Sequence, residues 1–203
     1  MKFDPRKHHR CSIRLVGYDY SQTGAYFVTL VSFQRECIFG EMIGESVHLS
    51  AIGRLVEQEW IDIVKHFNWI NLDEIVVMPN HILAIIWIEK RRGEASVTGH
   101  QEAGQRKISR RVNPQPTQET DASPQPAHGT QQGSLGAIIQ NFKSISTRKI
   151  NIEKGEPGNR IWQRNYFEHI IRDEPELLRI RQYIIDNPLK WQLDQENQII
   201  SNR

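Results

Sequence analysis

Cysteine is scarce: Cys11 and Cys37 are alone in 203 residues, and they stand in no metal-ligand or redox spacing. They read as free thiols in a reducing cytosol, so a cytoplasmic protein is expected. Long apolar runs are also missing. The best stretch, His81 to Ile88, has the length of a strand, far short of the roughly 20 residues of a membrane helix. The opening MKFDPRKHHR is basic, but no apolar segment follows it, so a secretory signal is not expected. Charge of one sign is lacking too. The net charge is +2, too mild to mark a nucleic-acid partner by itself, so the charge has to be read locally. A mean hydropathy of -0.57 predicts that part of the chain lies outside the core.

What is present is enough for one domain of ordinary size. Residues 1–24 form a polar arm in which Lys2, Arg6, Lys7, Arg10 and Arg14 outnumber Asp4. It reads either as a phosphate-touching arm or as a solvated tail. Tyr26 to Phe33 is rich in β-branched and aromatic residues and predicts a strand, and Val47 to Leu49 a short second one. Ser50 is an N-cap for a helix carrying Ile52, Leu55, Val56, Trp60 and Ile63 at helical spacing. Leu72 to Val77 and His81 to Ile88 predict two more strands, separated by Met78-Pro79-Asn80.

From residue 90 to residue 133 the chain turns to Gln, Gly, Pro, Ser, Thr, Arg and Glu. Such a segment cannot bury enough surface to offset its ordering entropy, so it is expected to be a disordered insertion within the domain. Arg106, Lys107, Arg110 and Arg111 cluster there. Helical periodicity returns with Leu135, Ile138, Ile139, Phe142 and Ile145. Pro175 opens a last helix and Asn187-Pro188 closes it. The expected domain is therefore residues 25–89 with 134–190, followed by a C-terminal tail, 191–203. Helices laid on one face of a mostly antiparallel sheet would make an α+β sandwich.

Met78-Pro79-Asn80-His81 and the apolar run behind it resemble the HUH strand of the REP-associated tyrosine transposases, a branch of the insertion sequence 200-like single-strand transposases. Gly24 to Thr29 resembles that family's first core strand, and Phe142-Lys143-Ser144 its middle helix. Ile161 to Tyr166 and His169 to Arg172 match the stretch before its last helix, and Tyr183 to Pro188 its nucleophile motif. Each piece is weak alone; five in the right order are specific. The resemblance implies a ferredoxin-like sandwich, a homodimer in many members, and Tyr183 as the nucleophile. It further implies His81 and Asn187 as ligands of Mg²⁺ or Mn²⁺, and single-stranded or hairpin DNA as partner. The implied reaction is DNA cleavage and rejoining through a 5′-phosphotyrosine.

The chemistry is intelligible from the residues. Histidines at i and i+2 of a strand point to one side of the sheet and can share an ion. A tyrosine hydroxyl, with an ordinary pKa of about 10, needs such an ion to polarise the phosphate it attacks. Tyr183 and Asn187 are spaced to share one face of a helix. Here the sequence departs from the pattern, because the second histidine position is Leu83, which has no lone pair to offer. Oxygen-rich shells completed by DNA phosphate suit a hard cation, so two outcomes stay open: an enzyme with a weakly held metal, or a silent DNA-binding module.

The DNA-binding expectation is separate. Arg160, Trp162, Arg164 and Tyr166 interleave cations with rings, as single-strand binding requires. Lys143, Arg148 and Lys149 extend the track, and Arg172 is placed with them. The competing reading is an amphipathic face with Trp162 in the core and the arginines solvated. His169 reads as a packing residue or a phosphate contact.

Overall fold

The computed structural model describes residue 15, residues 17–89, residue 131 and residues 133–191. The basic arm residues 1–14, the cluster Arg106 to Arg111, nearly all of the 90–133 insertion and the tail beyond Trp191 lie outside the described residues.

Four strands make the main sheet: β1 (Gly24–Val31), β4 (Ile70–Met78), β5 (His81–Ile88) and β6 (Phe167–Ile171). Their order is β4-β5-β1-β6, and every neighbouring pair is antiparallel. Two helices interrupt them, α1 (Ala51–Asp62) and α2 (Leu135–Lys154). The main-sheet sequence is thus β-α-β-β-α-β, the ferredoxin-like arrangement. Between β1 and α1, β2 (Gly40–Ile43) and β3 (Ser46–Leu49) form a separate two-stranded ribbon. The helix α3 (Glu174–Ile185) and the short α4 (Asn187–Lys190) close the described chain.

Both long helices start where the sequence predicts. Ser50 Oγ accepts from Gly53 N at 3.0 Å, and Ser134 Oγ from Ala137 N at 3.3 Å, each supplying an acceptor for an unpaired first-turn N–H. At the far end of α2, Gly155 takes the left-handed conformation with φ 66°. Gly53 is needed for a different reason: a Cβ there would stand 1.9 Å from the Phe39 carbonyl oxygen.

Side-chain alternation divides the sheet into two faces. Tyr26, Val28, Leu30, Ile82, Ala84 and Ile86 join Trp60, Ile138, Ile139 and Phe142 in the larger core, under α1 and α2. Ala25, Phe27, Leu83 and Ile85 join Leu177 and Ile184 in a second cluster, under α3. The expectation that all helices share one face is therefore corrected: α1 and α2 share a face, while α3 covers the face that this topology leaves open. The reason lies in β5, whose residues are apolar on both sides and need cover on both. Among the described residues, no helix is long and apolar enough to cross a membrane.

Candidate functional site

The α3 face carries the residues that the resemblance singles out. His81 is the first residue of β5, set opposite Val31 of β1 and Met78 of β4. Its Nδ1 lies 2.8 Å from Asn80 Oδ1. A carboxamide oxygen only accepts, so Nδ1 is the donor in this contact. The Trp191 ring stacks on the imidazole at 5.8 Å and 21°. Two residues along the strand, Leu83 is 2% exposed and belongs to the apolar cluster with Leu177 and Ile184. The position where the resemblance asks for a second histidine is thus part of the packing beneath α3.

Tyr183 is 45% exposed on α3. Its ring stands edge-on to Phe27 at 6.1 Å, and the Lys190 ammonium lies over it at 5.9 Å. Phe27 sits opposite Ile85, four residues along β5 from His81. At the rise of a strand that is on the order of 13 Å, so Tyr183 and His81 share a face but draw their contacts from different parts of it. Asn187 does not continue α3. That helix ends at Ile185, and Asn187 opens α4 after Asp186, which keeps right-handed helical angles of φ -80° and ψ -7°.

Helix α3 is pinned at two places. Arg181 donates from Nε to Asp73 Oδ1 at 2.9 Å and from Nη2 to Oδ2 at 2.7 Å. Asp73 also accepts from Trp87 Nε1 at 2.9 Å. It projects from the irregularity in β4 between Leu72 and Ile75, where the extra residue re-aims the chain. The Arg181 hydrogen bonds hold the Asp73 carboxyl below its ordinary value, and Trp87 adds to the effect against the opposing cost of burial. At the N-terminus of α3, Asp173 caps Glu176 N at 2.8 Å. The Glu176 carboxylate accepts from Arg172 N and meets His169 Nε2, each at 2.8 Å. His169 and Arg172 therefore seat the helix through Glu176, which agrees with the packing reading of His169.

The donors present do not make a metal site on their own. His81 and Asn187 supply one imidazole and one amide, with no carboxylate between them. Among the described residues, no three His, Cys, Asp or Glu side chains come together as a metal-ligand group. Sites for hard divalent ions draw on carboxylates and phosphate oxygens.

The cations read as a DNA track converge elsewhere, on a groove of about 890 Å³ between α2 and residues 155–164. Arg148, Arg160 and Arg164 line it and are exposed. The guanidinium of Arg160 also lies 5.8 Å from the centre of the Phe33 ring. Lys143 lines the groove but turns inward, donating from Nζ to the Gln163 carbonyl at 2.9 Å and the Asn165 carbonyl at 3.0 Å. Its ammonium lies 5.6 Å from the Tyr166 ring centre. Burial pushes the Lys143 ammonium down to about 8. Lys149 pairs with Glu59 of α1. Trp162, 7% exposed, packs on Phe39 and Phe142 and donates from Nε1 to Ser146 Oγ at 3.0 Å, so it belongs to the core. Sequence reading missed Lys190 and Trp191, which act from beyond the Asn187-Pro188 stop, and Asp73, whose role depends on the β4 irregularity.

No family model matches the chain. A protein of Haemophilus influenzae, itself uncharacterised, is 37% identical over 197 residues, spanning 96% of each chain. Among solved structures, the chain is similar to a REP-associated tyrosine transposase bound to a REP hairpin, with 15% identity and a TM-score of 0.49. That match covers 87% of this chain and 72% of the other. A candidate transposase from Deinococcus radiodurans R1 matches with 14% identity and a TM-score of 0.42, covering 86% and 96%.

Proposed function

The chain belongs to the same family as the Haemophilus influenzae protein, and we propose that it is a transposase-like protein that binds single-stranded or hairpin DNA. The observation that carries this reading is the groove beside α2, where Arg148, Arg160 and Arg164 stand exposed along one wall system. Guanidinium groups pair with phosphate oxygens in two-pronged fashion and cannot be deprotonated near neutrality. Rings near such a groove suit unstacked bases, and the Tyr166 ring lies under the ammonium of Lys143, which lines the groove.

A gel shift with a labelled DNA hairpin, repeated over a range of salt, tests the proposal. Binding that weakens steeply with salt supports it, because phosphate contacts release counterions. Binding that is absent, or flat with salt, overturns it.

A second reading is favoured by Tyr183, an exposed side chain on a doubly pinned helix. In it the Tyr183 oxygen attacks a backbone phosphorus, the P–O3′ bond breaks, and the strand is left as a 5′-phosphotyrosine with a free 3′-hydroxyl. Among the described residues, His81 and Asn187 would be the protein ligands of Mg²⁺ or Mn²⁺, with phosphate oxygens making up the shell. A denaturing gel decides: a labelled band shifted by the mass of the protein and lost in Tyr183→Phe supports cleavage. Salt-sensitive binding with no such band identifies a DNA-binding module without strand transfer.

A further inference from the structure

We propose that Lys143 is an acylation site, whose amine takes an acyl group from a small acyl phosphate held by the arginines of the same groove. The inference does not depend on DNA binding; it concerns a covalent modification of the groove wall.

Lys143 differs from the other lysines in what faces it. Among the described residues, Lys65, Lys149, Lys154 and Lys190 each pair with a carboxylate, of Asp62, Glu59, Glu156 and Asp186 in turn. Lys143 has no such partner among them. Its Nζ donates to the Gln163 and Asn165 carbonyls at 2.9 and 3.0 Å and lies over the Tyr166 ring. A carboxylate favours the ammonium form, whereas a carbonyl accepts from a neutral amine as well. Burial accordingly pushes the Lys143 ammonium down to about 8. At pH 7.5 roughly a quarter of it is then free amine, against about one in a thousand for an ordinary lysine. That amine gives its two N–H groups to the two carbonyls and keeps its lone pair for a third direction. A desolvated lysine amine of this kind is a nucleophile. The side chain is partly exposed where it lines the groove, and its bond to Asn165 lies at the surface.

The guanidiniums select the donor. Arg148 from α2, with Arg160 and Arg164 from the segment after it, lines the same groove, and all three are exposed. Arginine takes a phosphate group through paired hydrogen bonds and keeps its charge at any pH near neutrality. An acyl phosphate carries that phosphate on the carbon to be attacked. The Lys143 lone pair adds to the acyl carbon, and the bond from that carbon to the bridging oxygen breaks. Inorganic phosphate leaves with the electron pair, an amide forms, and one amine proton passes to water. The amide keeps a single N–H, so one of the two carbonyls loses its donor.

The experiment incubates the full chain with acetyl phosphate at neutral pH and follows each lysine by peptide mass spectrometry. Lys143 is expected to gain the acetyl group about tenfold faster than Lys65 or Lys154; its excess of free amine is larger, but a less basic nucleophile is also less reactive, as holds for thiols. Its rate should saturate with acetyl phosphate, slow in added inorganic phosphate, and level off above about pH 8. Arg160→Ala and Arg164→Ala should each cut that rate several-fold. The rate with acetic anhydride, which carries no phosphate, should stay the same in both variants. A Lys143 rate no faster than that of Lys65 overturns the modification. A fast rate that does not saturate, or that is equal in the arginine variants, overturns the acyl phosphate as its source and the proposal with it.

Discussion

Arg181 and Asp73 join α3 to the irregular turn of β4 through paired hydrogen bonds of 2.9 and 2.7 Å, although they are 108 residues apart in the chain. The pair holds the helix that bears Tyr183 over the sheet face that bears His81. Asp73 is largely buried and also satisfies the Trp87 indole. Asp73→Asn keeps one acceptor oxygen but turns the other into an N–H donor, so the guanidinium and the indole N–H lose part of their acceptor set and the charge that strengthens it. Asp73→Asn is expected to cost about 1–2 kcal/mol in chemical denaturation, the size of a charge-assisted hydrogen bond that is partly screened. The pH dependence follows from the depressed carboxyl. An acid whose folded pKa lies below its unfolded value near 3.8 contributes stability above that value and loses it as pH falls through the folded one. Acid unfolding below about pH 4 should therefore be less steep in Asp73→Asn than in the parent.

Lys143 gives the opposite kind of linkage. Its ammonium is pushed from 10.5 down to about 8 by burial, while its nitrogen serves the Gln163 and Asn165 carbonyls. A neutral amine has two N–H groups, enough for those two acceptors. Between pH 8 and 10.5 the unfolded chain binds this proton and the folded chain does not, so stability from this group rises with pH across that window. Lys143→Met should abolish the rise and cost about 1–3 kcal/mol near neutrality through the two orphaned carbonyls. Paired denaturation curves at pH 7 and pH 9.5 measure both effects. DNA affinity should change little, because this cation is already engaged in holding residues 160–166 to α2.

Much of this could be read from the sequence, for physical reasons that differ by element. Strands β1 and β5 and helices α1 and α2 announce themselves through uninterrupted patterns and serine caps. Strand β6 does not: it is five residues long, and Glu168 and His169 break its apolar run. Among the described residues it is an edge strand paired with β1 on one side. The placement of α3 was legible in principle. Leu83 and Ile85 are apolar on the side that a one-sided sandwich leaves to water, and they match the stripe Leu177, Ile180 and Ile184. Leu83 read as a gap in a metal motif, whereas its neighbours make it a core residue. Lys190 and Trp191 were not legible, because a proline stop gives no sign that the chain folds back over the site it has just left.

Leu83→His tests how deep that difference goes. Exchanging a side chain that is 2% exposed in an apolar cluster for an imidazole should cost about 2–4 kcal/mol. If the strand geometry still suits an ion, Mn²⁺ should recover part of that loss in a concentration-dependent way, since a ligand of the folded state alone stabilises it. Thermal melts with and without Mn²⁺ read the effect directly, independent of any cleavage. A variant that is destabilised and indifferent to Mn²⁺ would mean that Asn80 and Trp191 commit His81 to packing, and that one substitution does not restore the site.

The groove arginines offer the sharpest quantitative test, because each phosphate contact on single-stranded DNA contributes about 0.7 to the slope of log affinity against log salt. Arg148→Ala, Arg160→Ala and Arg164→Ala should each lower that slope by about this amount and weaken binding at low salt by a similar factor for any sequence. Lys149→Ala should leave the slope nearly unchanged, since its ammonium is paired with Glu59. Arg160→Ala should do slightly more than the other two, because it also removes the cation from the face of Phe33. Fluorescence titrations of one labelled strand at several salt concentrations separate these outcomes. Equal slopes for all four variants would place the phosphates somewhere other than this groove.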